Sequence, residues 1–156
     1  MNSGLQILLA EDQENDVTLL KQAFLKAAVR CTLLSVPDGA EALAYLWGDG
    51  SYRNREVFPF PQLMLLDVHL PRLDGFEVLQ TLRSDTTLKP LIVYLFSSSS
   101  RDSDIERGYR LGANSYVVKP GTMDGLVAFA RALQDWHRFV SESLYQAPTP
   151  RGTPNL

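Results

Sequence analysis

Five short apolar runs punctuate the chain, at Leu5 to Ala10, Cys31 to Val36, Leu63 to Leu66, Leu91 to Phe96 and Ser115 to Val118. Each is nearly continuous in hydrophobicity rather than alternating, which is the pattern of a strand buried on both faces. Between them lie segments with apolar residues at helical spacing: Asn15 to Val29, Asp38 to Trp47, Gly75 to Ser84 and Asp102 to Leu111, with a last one from Thr122 to Tyr145. A strand followed by a helix five times over forces a parallel sheet, because each crossover between parallel neighbours carries a helix and keeps one hand. The expectation is an α/β domain with a doubly wound, five-stranded parallel sheet and helices on both faces.

A chain of 156 residues suits one such domain, assigned to residues 1–146, and is large enough to bury its core without disulfides. Cys31 is the only cysteine, so neither a disulfide within the chain nor a cysteine metal cluster is expected. That usage suits a reducing cytosol and a cytoplasmic protein. A net charge of -3 gives no electrostatic footprint for nucleic acid. The longest apolar run is far too short for a membrane span, so no membrane association is expected.

Two segments depart from an economical α/β chain. Gly48 to Pro61 is a polar, aromatic and proline-bearing connection of about fourteen residues, longer than the usual αβ loop. In the last helical segment Leu126, Ala130, Leu133, His137, Val140 and Leu144 recur at alternating spacings of four and three. Such an extended C-terminal helix would overhang the sheet, leaving Trp136, Phe139, Val140 and Leu144 to form a homodimer interface; covering the sheet alone is the plainer reading of its apolar face. Residues 147–156 carry three prolines and little to bury, and read as a disordered tail.

Chemistry in an open parallel sheet gathers beyond the carboxyl ends of the strands. There the first strand runs into Glu11 and Asp12, the third into Asp67, the fourth into Ser97 and the fifth into Lys119. Three carboxylates at one edge repel one another unless a cation sits among them, and hard oxygen ligands suit Mg²⁺. A nucleophilic carboxylate, a divalent cation, a lysine and a hydroxyl together form a site for phosphoryl transfer, with an acyl phosphate as product.

These residues resemble the receiver domains of bacterial two-component response regulators, over about residues 5 to 140. The acidic pair is similar to Glu11-Asp12, the phosphoacceptor to Asp67 within Leu-Leu-Asp-Val-His-Leu-Pro-Arg-Leu-Asp-Gly, the hydroxyl to Ser97 and the lysine to Lys119 in Val-Val-Lys-Pro. The resemblance implies a flavodoxin-like strand order, 2-1-3-4-5. It implies that Asp12, Asp67 and the backbone carbonyl of His69 ligate Mg²⁺, with Glu11 acting mainly through bound water. Ser97 and Lys119 would hold the phosphoryl oxygens, Tyr116 would be the switch aromatic, and a cis peptide before Pro120 would point Lys119 into the site. The donor it implies is a sensor histidine kinase or a phosphotransfer protein, and the output is a conformational change read by a binding partner. The long connection, the extended last helix and the lack of room for an output domain resemble the stand-alone regulators paired with bacterial and cyanobacterial phytochromes.

Taken singly these residues have plainer readings. Glu11-Asp12 is an ordinary helix entry, Asp67 a turn former, and Ser98 to Ser100 a flexible polar loop. His69 and His137 are too far apart in pattern to pair on a metal. Three other functions compete. An aspartate-nucleophile phosphatase wants a second acid two residues beyond Asp67, where this chain has His69. A flavin mononucleotide carrier wants a phosphate loop after the first strand, where Glu11, Asp12 and Glu14 repel phosphate. A receiver acting only as a scaffold would have lost part of the site, and none is lost here. Ser97 replaces the more frequent threonine of the family and keeps its hydroxyl.

Overall fold

The computed structural model describes residues 4–139. Strands β1 (Leu5–Ala10), β2 (Cys31–Val36), β3 (Leu63–Leu66), β4 (Ile92–Ser97) and β5 (Ser115–Val118) alternate with helices α1 (Glu14–Lys26), α2 (Gly39–Trp47), α3 (Gly75–Ser84), α4 (Asp102–Arg110) and α5 (Met123–His137). All neighbours in the sheet are parallel and their order is β2-β1-β3-β4-β5, as expected.

Successive strand residues point to opposite faces, and the chain fills both. Leu8, Ala10, Met64, Leu66, Val93 and Leu95 meet α2 and α3 through Leu43, Leu46, Phe76, Val78 and Leu79. Ile7, Leu9, Leu63, Leu65 and Phe96 meet α1 and α5 through Leu20, Ala23, Phe24, Leu126, Ala130 and Leu133. Burial on both faces holds for β1, β3 and most of β4. It fails at β2 and β5, which are largely half-buried because each is an edge strand with one unpaired side.

Local chemistry fixes the helix starts. Asp38 caps α2 by accepting from Glu41 N–H, and Asp74 forms a capping box with Glu77 on α3. Gly75 is required by a close approach: a Cβ there would lie 2.1 Å from the Asp67 carbonyl oxygen. Its N–H donates to Val68 O at 2.8 Å, so α3 begins directly against the turn after β3.

The long connection is built rather than loose. A 3₁₀ turn at Gly50–Tyr52 brings Tyr52 and Phe58 against Tyr45 of α2, with ring centroids 5.1 and 6.0 Å from it. Arg55 then donates to the Tyr45, Leu46 and Phe58 carbonyls, covering the C-terminal carbonyls of α2 with a cation.

Within the described residues α5 ends at His137, short of the predicted Tyr145, and Arg138 and Phe139 form a turn. Leu126, Ala130 and Leu133 are core. The Val140 and Leu144 positions of the predicted seam, the remainder of the predicted helix and the predicted tail 147–156 lie outside the described residues.

Candidate functional site at the carboxyl edge of the sheet

Backbone hydrogen bonds carry the sheet one residue past its strands and so fix the site. Glu11 N–H donates to Val36 O at 3.0 Å, Asp67 N–H to Ala10 O at 3.0 Å and Lys119 N–H to Ser97 O at 2.7 Å. Glu11, Asp67 and Ser97 are consequently buried polar residues at the floor of the crevice. Carboxylate oxygens of Glu11, Asp12 and Asp67 all lie within 4.8 Å of one another.

The Lys119 ammonium spans this cluster, 2.9 Å from Glu11 Oε1, 2.9 Å from Asp67 Oδ2 and 3.2 Å from Asp16 Oδ2. The peptide bond between Lys119 and Pro120, expected to be cis, is trans, and no cis peptide occurs among the described residues. The long lysine side chain reaches the carboxylates with the isomer that X-Pro bonds favour, so a cis bond is not needed to aim it.

Electrostatics in the cluster are uneven. Burial, reinforced by the hydrogen bond and charge of Asp67, pushes the Glu11 carboxyl up to about 9 against the opposing pull of Lys119. Burial also acts to raise Asp67, but hydrogen bonds from Glu11 and Lys119 and the ammonium charge outweigh it and hold Asp67 below the usual carboxylate range. Lys119 is raised, since the hydrogen bonds and charges of Asp67 and Glu11 outweigh its desolvation. Glu11 Oε2 is buried without a hydrogen-bond partner. An orphaned carboxylate oxygen beside two more carboxylates fits the expected divalent cation, which accepts oxygen ligands and neutralises the excess charge.

His69, Ser97 and Tyr116 lie around this centre. His69 donates its N–H to Asp67 Oδ1 at 3.1 Å and its side chain is exposed. Ser97 is fully buried, and its hydroxyl accepts from Ser99 N–H at 3.2 Å. The Tyr116 hydroxyl donates to Ser99 O at 2.8 Å, linking the tyrosine to the loop beside Ser97. His137 lies on α5, away from the acidic cluster in the fold.

Two residues escaped the sequence reading. Asp16 in the first turn of α1 reaches Lys119, and its signal was a spacing of four from Asp12. Ser99 falls in the segment expected to be a plain polar loop, yet it bonds Ser97, Tyr116, Arg101 and Asp104. Its only signal was a serine two residues beyond a strand-end hydroxyl, which Ser98 and Ser100 dilute.

Residues 7–131 match the response regulator receiver domain. The chain belongs to the response regulator receiver family. Among curated relatives, Response regulator Rcp1 of Synechocystis is 31% identical over 130 residues, covering 83% of this chain and 86% of the relative. A solved structure of Rcp1, in a Mn²⁺-bound form, superposes with a TM-score of 0.76 at 30% identity, covering 88% of this chain and 97% of the other. Response regulator RPA3017, described in red light signalling of R. palustris, superposes with a TM-score of 0.80 at 34% identity, over 93% of this chain and 99% of the other. The phosphorylated cyanobacterial phytochrome response regulator RcpA gives 0.77 at 35% identity, over 85% and 93%. The narrower likeness to phytochrome-associated regulators is thus found as well as the family. No helix among the described residues is long and apolar enough to cross a membrane.

Proposed function

We propose that Asp67 is the phosphoacceptor of this receiver and that a sensor histidine kinase, of the phytochrome type or acting through a phosphotransfer protein, is the donor. The observation that carries this reading is the Lys119 ammonium 2.9 Å from an Asp67 carboxylate that its surroundings keep ionised. An ionised Asp67 oxygen attacks the phosphorus of a phosphohistidine; the new O–P bond forms as the N–P bond breaks, and the histidine nitrogen recovers a proton. Lys119 then exchanges its bond to Asp67 Oδ2 for one to a phosphoryl oxygen, while Glu11 and Asp16 hold it over the site. Ser97 donates its hydroxyl to another phosphoryl oxygen, and Tyr116 responds through the loop that holds both.

Asp12, Asp67, the His69 backbone carbonyl and, through water, Glu11 are the residues that would hold Mg²⁺, which supplies positive charge to the transferring oxygens when bound. Similarity to RPA3017 and RcpA, whose descriptions name red light and phytochrome, supports the choice of donor. We take residues 1–146 as the signalling unit of a cytoplasmic protein that acts by binding a protein partner rather than DNA, in keeping with its net charge of -3. A homodimer through the last helix is supported by Trp136 of α5 and by Phe139 in the turn that follows it, which are 59% and 82% exposed. A concentration-independent monomer in light scattering, with and without phosphorylation, would contradict it.

Offering the chain to a panel of autophosphorylated histidine kinases tests the donor class. Rapid label transfer from phytochrome kinases, abolished in Asp67→Asn, is the expected result. Undiminished labelling of Asp67→Asn would remove the phosphoacceptor assignment, and transfer from every kinase except the phytochromes would remove the choice of donor.

A further inference from the structure

Ser99 makes hydrogen bonds to Ser97, to Tyr116 and to the start of α4. Its N–H donates to Ser97 Oγ at 3.2 Å, and its carbonyl accepts from the Tyr116 hydroxyl at 2.8 Å. Its hydroxyl donates to Asp104 Oδ2 at 2.5 Å and accepts from Arg101 N–H at 3.4 Å. Asp104 lies in the first turn of α4, whose N-cap residue, Arg101, makes no side-chain capping bond. The side-chain tie at this helix start therefore comes from Ser99.

We propose that Ser99 is a positioning residue, the joint that carries a displacement of Ser97 into the first turn of α4 through its bond to Asp104. This rests on the phosphoacceptor reading above. A hydroxyl has one donor hydrogen and two lone pairs, so Ser97 can donate to a phosphoryl oxygen while still accepting from Ser99 N–H. Ser97 is fully buried, so drawing it toward a modified Asp67 pulls on Ser99 rather than on solvent. Displacing Ser99 moves the acceptor used by Tyr116 and the donor used by Asp104 in one step. The bond to Asp104 is charge-assisted and is the shortest of the set, so the helix start follows the loop.

Tight packing one turn further along α4 shapes the response. A Cβ at Gly108 would lie 2.5 Å from Leu95 Cδ1 and 3.2 Å from Tyr116 Cδ2, so α4 sits hard against β4 and the tyrosine there. A pull on Asp104 is then taken up as a change at the first turn of α4 and not as sliding of the whole helix.

The test is amide hydrogen exchange of residues 102–106 with and without beryllofluoride and Mg²⁺, a mimic of the acyl phosphate, in the wild type, Ser99→Ala, Asp104→Ala and Ser99→Thr. In the wild type the mimic changes exchange of this turn by roughly tenfold, on the scale of local opening equilibria. In Ser99→Ala and Asp104→Ala the mimic still binds but the ratio with and without it falls toward one, and Ser99→Thr restores it. A merely structural bond would raise exchange equally in both states and leave the ratio unchanged, which would overturn the proposal. Wild-type protein that binds the mimic without any change in α4 would overturn it too, leaving the phosphoacceptor reading intact. Failure of the wild type to bind the mimic would instead bring down that reading, and this one with it.

Discussion

Glu11 is a buried side chain whose ionisation the fold opposes. Its ordinary value of 4.5 is pushed up to about 9 by burial and by Asp67, so between these values the folded chain binds a proton that the unfolded chain has released. By linkage its contribution to stability is fully present below about pH 4.5 and is lost as pH rises toward about 9. Glu11→Gln, which keeps the shape and removes the acid, should therefore stabilise the cation-free protein at pH 8 by about 1–2 kcal/mol in urea unfolding, and by nothing at pH 4. Equal midpoints at pH 8 would contradict this. The site was legible in the sequence wherever a residue lies at or just past the end of a strand, since strand ends in a parallel sheet must share an edge; Glu11, Asp12, Asp67, Ser97 and Lys119 all follow that logic. Asp16 and Ser99 carry only faint signals, a spacing of four from Asp12 and a serine two residues past a strand-end hydroxyl, because their contacts depend on which way a helix turn and a loop face.

Elements show the same division. All five strands read correctly because continuous apolar runs bounded by polar turns leave little choice, and only the half-buried state of β2 and β5 depended on the sheet order. The connection at 48–61 shows in the sequence only as an unexplained length, whereas in the fold Arg55, Tyr52 and Phe58 make it a cap on α2. Arg55→Ala should cost about 2 kcal/mol, the scale of hydrogen bonds to a charged group, and leave phosphoryl uptake unchanged; a loss of uptake at unchanged stability would show that the cap acts on the site. Gly75 sits where a Cβ would be 2.1 Å from the Asp67 carbonyl oxygen. Gly75→Ala should destabilise the fold by about 3 kcal/mol and slow phosphorylation as well, because relief of the clash moves the backbone of the phosphoacceptor. Full activity in a variant of unchanged melting temperature would contradict that placement.

For the whole molecule, the acidic cluster ties stability to cation binding. A ligand that binds only the folded chain adds about 1.4 kcal/mol at ten times its Kd. Mg²⁺ should accordingly raise the melting temperature of the wild type by a few degrees and do so much less in Asp12→Asn and Asp67→Asn; equal shifts in all three would place the cation elsewhere. The doubly wound architecture followed from the order of apolar runs, and the receiver chemistry followed from which residues that architecture brings to one edge. The central claim is that this edge accepts a phosphoryl group on Asp67. Incubation with Mg²⁺ and acetyl phosphate, followed by peptide mass spectrometry, tests it most directly: the account predicts one added phosphoryl group on the peptide bearing Asp67, absent without the cation and in Asp67→Asn, whereas a cation-bound protein that gains no phosphoryl mass, or gains it at another residue, would contradict it.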